Sequence, residues 1–254
     1  MTGIYFSGTG NTKHCVEKFV YSFDENNKIF SIETQGLEQL LATENTIVFG
    51  HPTLFSNAHK IVRDFILSHA ELFHGKKIFI IVTMGLFSGD GAGCSARIFK
   101  KCGAEIIGGL HLRMPDSVGD SKLLKKSLEE NKSLVREADK KIQFAVEKFK
   151  AGKPFREGLN IFYHIAGLFG QRLWFYGKSL SYKDKPDIEP KTCTVCGLCV
   201  KNCPMKNLGI MDGKIVHQNR CTMCYRCVNN CPNQAITILG KKVIEQCVFE
   251  KYKP

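Results

Sequence analysis

The stretch YFSGTGNT, residues 5–12, runs from a short apolar segment into one with helical periodicity. Gly8 and Gly10 let the backbone turn closely, and Ser7, Thr9, Asn11 and Thr12 carry side-chain donors. A helix starting here adds free amides and the positive end of its dipole. Together these features make a phosphate cradle that needs no formal charge. Two known phosphate-loop patterns fail on spacing. Gly3 and Gly8 are separated as in a P-loop, but Thr9 follows where a lysine is required. A dinucleotide turn would place a small residue where Lys13 stands. A bare Gly-rich turn at a strand–helix junction is the alternative that context must decide.

The context is an alternation of strands and helices over residues 1–150. Strands are expected at 2–7, 28–34, 46–50, 76–84 and 104–114, and helices at 11–23, 59–73, after the loop at 85–93, and from 121 to 150. In the first helix Val16, Phe19, Val20 and Phe23 share one side. KKIFIIVTM, 76–84, is continuously apolar, as in a strand buried on both faces. This pattern predicts an α/β fold with a five-stranded, doubly wound parallel sheet. Ligands bind such sheets beyond the carboxyl ends of the strands, at the switch in strand order. The loops there are SGTGNT, GHPTLFSN and TMGLFSGDGAG.

The other end of the chain has a different grammar. CTVCGLCVKNCP, 193–204, returns as CTMCYRCVNNCP, 221–232. These repeats hold eight of the twelve cysteines. The N-terminus has no basic segment leading into a long apolar run, so a reducing, cytoplasmic setting is expected, where disulfides are rare. The spacing therefore points to metal. Zinc modules use C-x2-C pairs with a longer gap and have no need of a third cysteine two residues on. The doubled C-x2-C-x2-C-x3-C-P pattern specifies two 4Fe–4S clusters. Cys15, Cys94, Cys102 and Cys247 stand outside it and are expected to be buried apolar thiols.

The cysteine module over 188–240 resembles the bacterial two-cluster 4Fe–4S ferredoxins, a small α+β domain. That resemblance implies crossed ligation: Cys193, Cys196 and Cys199 joined by Cys231, and Cys221, Cys224 and Cys227 joined by Cys203. Residues 1–150 resemble flavodoxins, with SGTGNT similar to their FMN phosphate loop. The resemblance implies FMN, its phosphate at Ser7, Thr9, Gly10, Asn11 and Thr12. It places the isoalloxazine ring against Pro52, Thr53, Leu54 and Phe55, and against Met84, Gly85, Phe87, Ser88, Gly89, Asp90 and Gly91. Phe55 or Phe87 would cover the ring or belong to the core. With GLFSGDGA at 85–92 and RMPDS at 113–117, the whole chain resembles the flavodoxin–ferredoxin fusions of anaerobic bacteria and archaea.

Three segments follow: 1–150 as the FMN-binding domain, 151–185 as a helical connector, and 186–254 as the ferredoxin domain. The connector carries Phe162, Tyr163, Phe169, Trp174, Phe175 and Tyr176, and is expected to pack the domains together; membrane or partner attachment is the competing reading. The formal net charge is +12, and residues 121–185 hold 15 Lys and Arg against 7 Asp and Glu. Solvated helix faces and counter-charge for anionic cofactors account for this balance; acidic partners and membrane surfaces are its other matches. No nucleic-acid partner is expected. The expected function is electron transfer between FMN, the two clusters and a redox partner protein. A substrate-reducing flavoenzyme is the alternative, with His51, His59 and Asp90 as its candidate acids.

Overall fold

The computed structural model describes residues 1–254, except the side chains of Tyr176, Lys178 and Leu180. Tyr176, named above among the connector aromatics, thus has its side chain outside the described residues. The first half alternates as the hydrophobic pattern requires: β1 (Thr2–Tyr5), α1 (Asn11–Phe23), β2 (Lys28–Ser31), α2 (Leu37–Leu41), β3 (Thr46–Leu54), a two-residue β4 (Asn57–Ala58), α3 (Lys60–Ser68), α4 (Ala70–Phe73), β5 (Lys77–Met84), α5 (Gly91–Lys101), β6 (Glu105–Arg113) and α6 (Leu128–Lys150). Five strands pair in parallel in the order β2-β1-β3-β5-β6, and β4 adds only an antiparallel corner to β3. Counting the parallel strands alone, this is the 2-1-3-4-5 order of flavodoxin-like sheets, with its switch point between β1 and β3.

Alternate residues of each central strand enter opposite cores. Phe49, Ile78, Ile80 and Val82 pack with α3 and α5 on one face, while Val48, Phe79 and Ile81 pack with α1 and α6 on the other. Gly50 lets α1 lie close on the sheet: a Cβ there would stand 2.2 Å from Val16. Two helices differ from expectation. The segment 59–73 breaks at His69, whose backbone leaves the helical region. The long helix begins at 128, not 121, because Ser127 and Glu130 close a reciprocal capping box there. Residues 121–127 remain as a loop.

The second half is smaller. After α7 (Ile161–Gly167) the chain continues as a π-helix (Leu168–Tyr176), α8 (Gly177–Leu180) and a 3-10 turn (Ser181–Asp184). The cysteine module holds β7 (Asp187–Ile188), α9 (Leu198–Asn202), the hairpin β8 (Leu208–Met211) and β9 (Lys214–His217), α10 (Arg226–Asn230) and β10 (Ile236–Thr237). Its own core gathers Leu208, Ile215, Met223, Tyr225, Val228 and Ile236. The final helix α11 (Phe249–Tyr252) leaves that module: Phe249 and Tyr252 are buried in the core beside α1 and α6.

Candidate cofactor sites

The cysteines fold as two quartets. Cys193, Cys196, Cys199 and Cys231 line one small cavity, and Cys203, Cys221, Cys224 and Cys227 another. Each quartet takes three cysteines from one repeat and its fourth from the other. The backbone repeats as well. Val195 and Gly197 in the first motif, Met223 and Tyr225 in the second, all have positive φ, between 54° and 75°. Only Gly197 tolerates that region freely, so three side-chain-bearing residues accept local strain to keep the loop's curl. Amides point at sulfur: in the second curl Met223 donates to Cys221 Sγ at 3.3 Å, and after each fourth cysteine Asn207 donates to Cys203 at 3.3 Å and Ala235 to Cys231 at 3.4 Å.

The donor chemistry of each quartet suits a cationic, thiolate-bound centre. Burial and then neighbouring thiols push Cys221 up to about 12, and burial with the neighbouring Cys203 pushes Cys224 up to about 11. Four such thiols ionise together only with cations among them. Among the described residues no three ligand side chains converge on a position for one metal ion. Thr222, buried beside the second quartet, has a hydroxyl with no hydrogen-bond partner. Among all twelve cysteines Cys196 alone is exposed; Cys15, Cys94, Cys102 and Cys247 are buried, but Cys94 faces Arg172 and Arg97, and Cys247 faces Lys125, so only Cys15 and Cys102 have the apolar setting expected.

A third cavity, of about 400 Å³, opens at the carboxyl ends of the parallel strands. Ser7, Thr9, Asn11 and Thr12 line it, with Pro52, Thr53, Leu54 and Phe55 and with Met84, Gly85 and Phe87. Thr12 and Thr83 hydroxyls bond at 2.7 Å, and Asn11 Nδ2 donates to the Pro115 carbonyl at 2.7 Å. Asn11 Oδ1 is buried without a partner, an acceptor left for a ligand hydroxyl. Phe55 stacks on Phe175 of the π-helix, 5.3 Å between centroids.

Five expected contacts lie elsewhere. Gly10 is the left-handed residue capping α1, and a Cβ on it would meet Phe249. Ser88, Gly89, Asp90 and Gly91 turn away from the cavity. Ser88 bonds His111 at 2.8 Å, Gly89 packs on Gly167, and a Cβ on Gly91 would meet Thr53. Asp90 is wholly buried under Arg97, Arg172 and His164. Burial alone would raise its carboxyl; hydrogen bonds from His164, Arg97 and Arg172 bring it below the ordinary value. Of the candidate acids, His51 is fully buried against Ser95 Oγ (2.9 Å), and only His59 reaches the cavity. His59 Nδ1 donates to the Thr222 carbonyl at 2.7 Å.

The sequence reading missed the loop after β6 and the wall beyond it. Met114 to Val118, Ser121, Leu123 and Leu124 close one side, and Met223, Cys224, Tyr225 and Leu239 of the cysteine module close another. The RMPDS phrase was the available signal for the first; none marked the second. This loop is also the main joint between the halves. Asp120 accepts from Tyr225 Oη (3.0 Å) and from the amides of Ile238, Leu239 and Gly240, and Asn229 donates to the Ser117 carbonyl at 2.8 Å. Opposite, Arg226 pairs with Glu33 at 2.6 Å and donates to the Ser7 carbonyl at 2.8 Å.

Residues 185–232 match the family model of the 4Fe-4S dicluster domain. The chain thus joins a parallel sheet of flavodoxin-like strand order to a segment that matches the 4Fe-4S dicluster model. Among solved structures, a flavodoxin from the domain Archaea is 17% identical, with 59% of this chain and 99% of that one covered and a TM-score of 0.42. The two-electron reduced flavodoxin of Megasphaera elsdenii is 24% identical over 55% of this chain and 99% of its own, TM-score 0.40. The flavodoxin of Streptococcus pneumoniae TIGR4 is 16% identical over 59% and 97%, TM-score 0.41. No curated protein matches the chain. The flavodoxin-like character of the sheet rests on its strand order, and Met223, Cys224 and Tyr225 of the matched segment wall part of its cavity. Among the described residues no helix is long and apolar enough to cross a membrane.

Proposed function

We propose that this protein transfers electrons between FMN held in the large cavity and two 4Fe–4S clusters, and from them to a redox partner protein. FMN stores one or two electrons, and each cluster relays one. The carrying observation is Cys224. It lines the large cavity and also belongs to the second quartet. The cluster of Cys203, Cys221, Cys224 and Cys227 is therefore the one beside the flavin, and that of Cys193, Cys196, Cys199 and Cys231 is the outer one.

The chain's own groups divide the remaining work. Ser7, Thr9, Thr12 and the free amides at the start of α1 would hold the phosphate. The unpartnered Asn11 Oδ1 would accept from a ribityl hydroxyl. Pro52 to Phe55, Met84, Gly85 and Phe87, with Phe175, would bound the ring and exclude water. A cavity of about 400 Å³ falls in the size range of cofactor sites. Amides directed at Cys221, Cys203 and Cys231 would favour the reduced, more negative clusters.

The test is anaerobic purification with iron, sulfide and FMN quantified, followed by flash photoreduction of the flavin. The expected result is about eight irons and one FMN per chain, with cluster paramagnetic signals rising as the flavin reoxidises. Zinc in place of iron, or clusters that stay silent while the flavin is reduced, would overturn the reading.

A further inference from the structure

The connector helix is built inside-out. In an ordinary surface helix the apolar stripe faces the core and charges face water. Here Gly167 packs on Gly89 and Asp90, and His164 and Arg172 reach inward to the Asp90 carboxylate. The outward face carries Phe162 (77% exposed), Trp174 (73%) and Phe169 (62%), with Ile161 and Leu173 also exposed. Other exposed apolar residues are scattered, and need no explanation. This cluster does need one.

We propose that residues 161–175 seat the protein on an anionic phospholipid bilayer, lying in the interface rather than crossing it. Charge selects this occupant. No carboxylate occurs between Glu157 and Asp184, while Arg172, Lys178 and Lys183 lie in that interval and Lys153 and Arg156 precede it. The side chains of Lys153, Arg156 and Lys183 are exposed. A protein interface surrounds its apolar centre with a rim of mixed polarity; a second copy would bring the same cations against these. Aromatic rings with basic neighbours instead match the headgroup boundary of an anionic leaflet. The same helix supplies Gln171 and Phe175 to the large cavity, which would then lie next to the lipid headgroups.

Trp174 is the sole tryptophan, so it reports directly. The holoprotein should sediment with phosphatidylcholine–phosphatidylglycerol vesicles, less so at high salt and little with phosphatidylcholine alone. Trp174 emission should be quenched by brominated acyl chains in those vesicles. The double substitution Phe162→Ser with Phe169→Ser should weaken binding at least about tenfold, with iron and FMN contents unchanged. Failure to sediment with anionic vesicles, or binding unaffected by the double substitution, would overturn the proposal. So would concentration-dependent dimerisation that the substitutions abolish, in protein that ignores vesicles.

Discussion

The carbonyl oxygen of Cys224 lies directly on the backbone of Gly8: a Cβ at Gly8 would stand 2.1 Å from it. The loop at Ser7–Thr12 and the second cysteine motif are thus in backbone contact. Arg226, two residues beyond Cys224, holds that contact from one side through Ser7 and Glu33. His59 holds it from the other through Thr222. Electron exchange between neighbouring centres needs fixed separation, and this joint has no side chain in it to yield.

Gly8→Ala should therefore separate the two loops. The opposing atom is backbone, so relief requires movement of a whole segment, costing about 1–3 kcal/mol of docking energy. The expected outcome is weaker FMN binding and slower transfer from photoreduced flavin to the inner cluster, with iron content unchanged. Fluorescence titration of FMN and flash kinetics measure the two.

The crossed quartets make a prediction that runs against sequence proximity. Cys203→Ala alters the first motif, yet should abolish the inner cluster, whose other ligands are in the second. Cys231→Ala alters the second motif and should abolish the outer cluster. Each variant should retain about half the iron. Only Cys231→Ala should keep transfer from the flavin to a cluster, read by paramagnetic resonance after a flash.

What could be read from the sequence was whatever had a local signature. SGTGNT, the apolar run ending at Met84 and the two cysteine motifs are each a contiguous phrase, and they pointed to both folds; the crossed pairing came only with the resemblance to two-cluster ferredoxins. What could not be read depends on partners far away in the chain. The glycines of 85–93 suggested one ligand loop, but Asp90 finds Arg172 and His164 more than seventy residues on, which splits the loop at Phe87. The seating of the second cysteine motif beside the cavity rests on Arg226–Ser7 and Asp120–Tyr225, pairs with no periodic mark. The tail carried no motif, so its docking of Phe249 onto His14, 4.3 Å between ring centroids, was invisible.

Acid should weaken the fold early. Burial, above all, holds His51 and His111 neutral, each pushed down to about 4. In the unfolded chain both titrate near about 6.5. Between these values the unfolded chain binds more protons, so the stability present above about pH 6.5 falls as pH drops and levels out below about 4. Each histidine contributes about 2 kcal/mol of that loss by about pH 5. The urea midpoint should fall accordingly between about pH 7 and 5. His59 is buried and shifted down by the same cause, so in His51→Asn the fall should be smaller but not abolished.

Asp90 should prove the anchor of the connector helix. Its carboxylate is fully buried, and Arg172, itself nearly buried, points its guanidinium at it. Asp90→Ala leaves that cation, beside His164, with no counter-charge and only neutral partners: Cys94 Sγ and the Ser56 and His164 carbonyls. Breaking a buried pair from one side costs about 3–5 kcal/mol. Since Gln171 and Phe175 hang from the same helix, the cavity should lose a wall. The expected outcome is rapid proteolytic cleavage within 158–183 and FMN affinity reduced at least about tenfold, with both clusters retained. Arg97 is half exposed and pairs with the same carboxylate. Arg97→Ala should cost about 1 kcal/mol or less, so limited proteolysis of the two variants side by side separates loss of the buried pair from loss of a surface one.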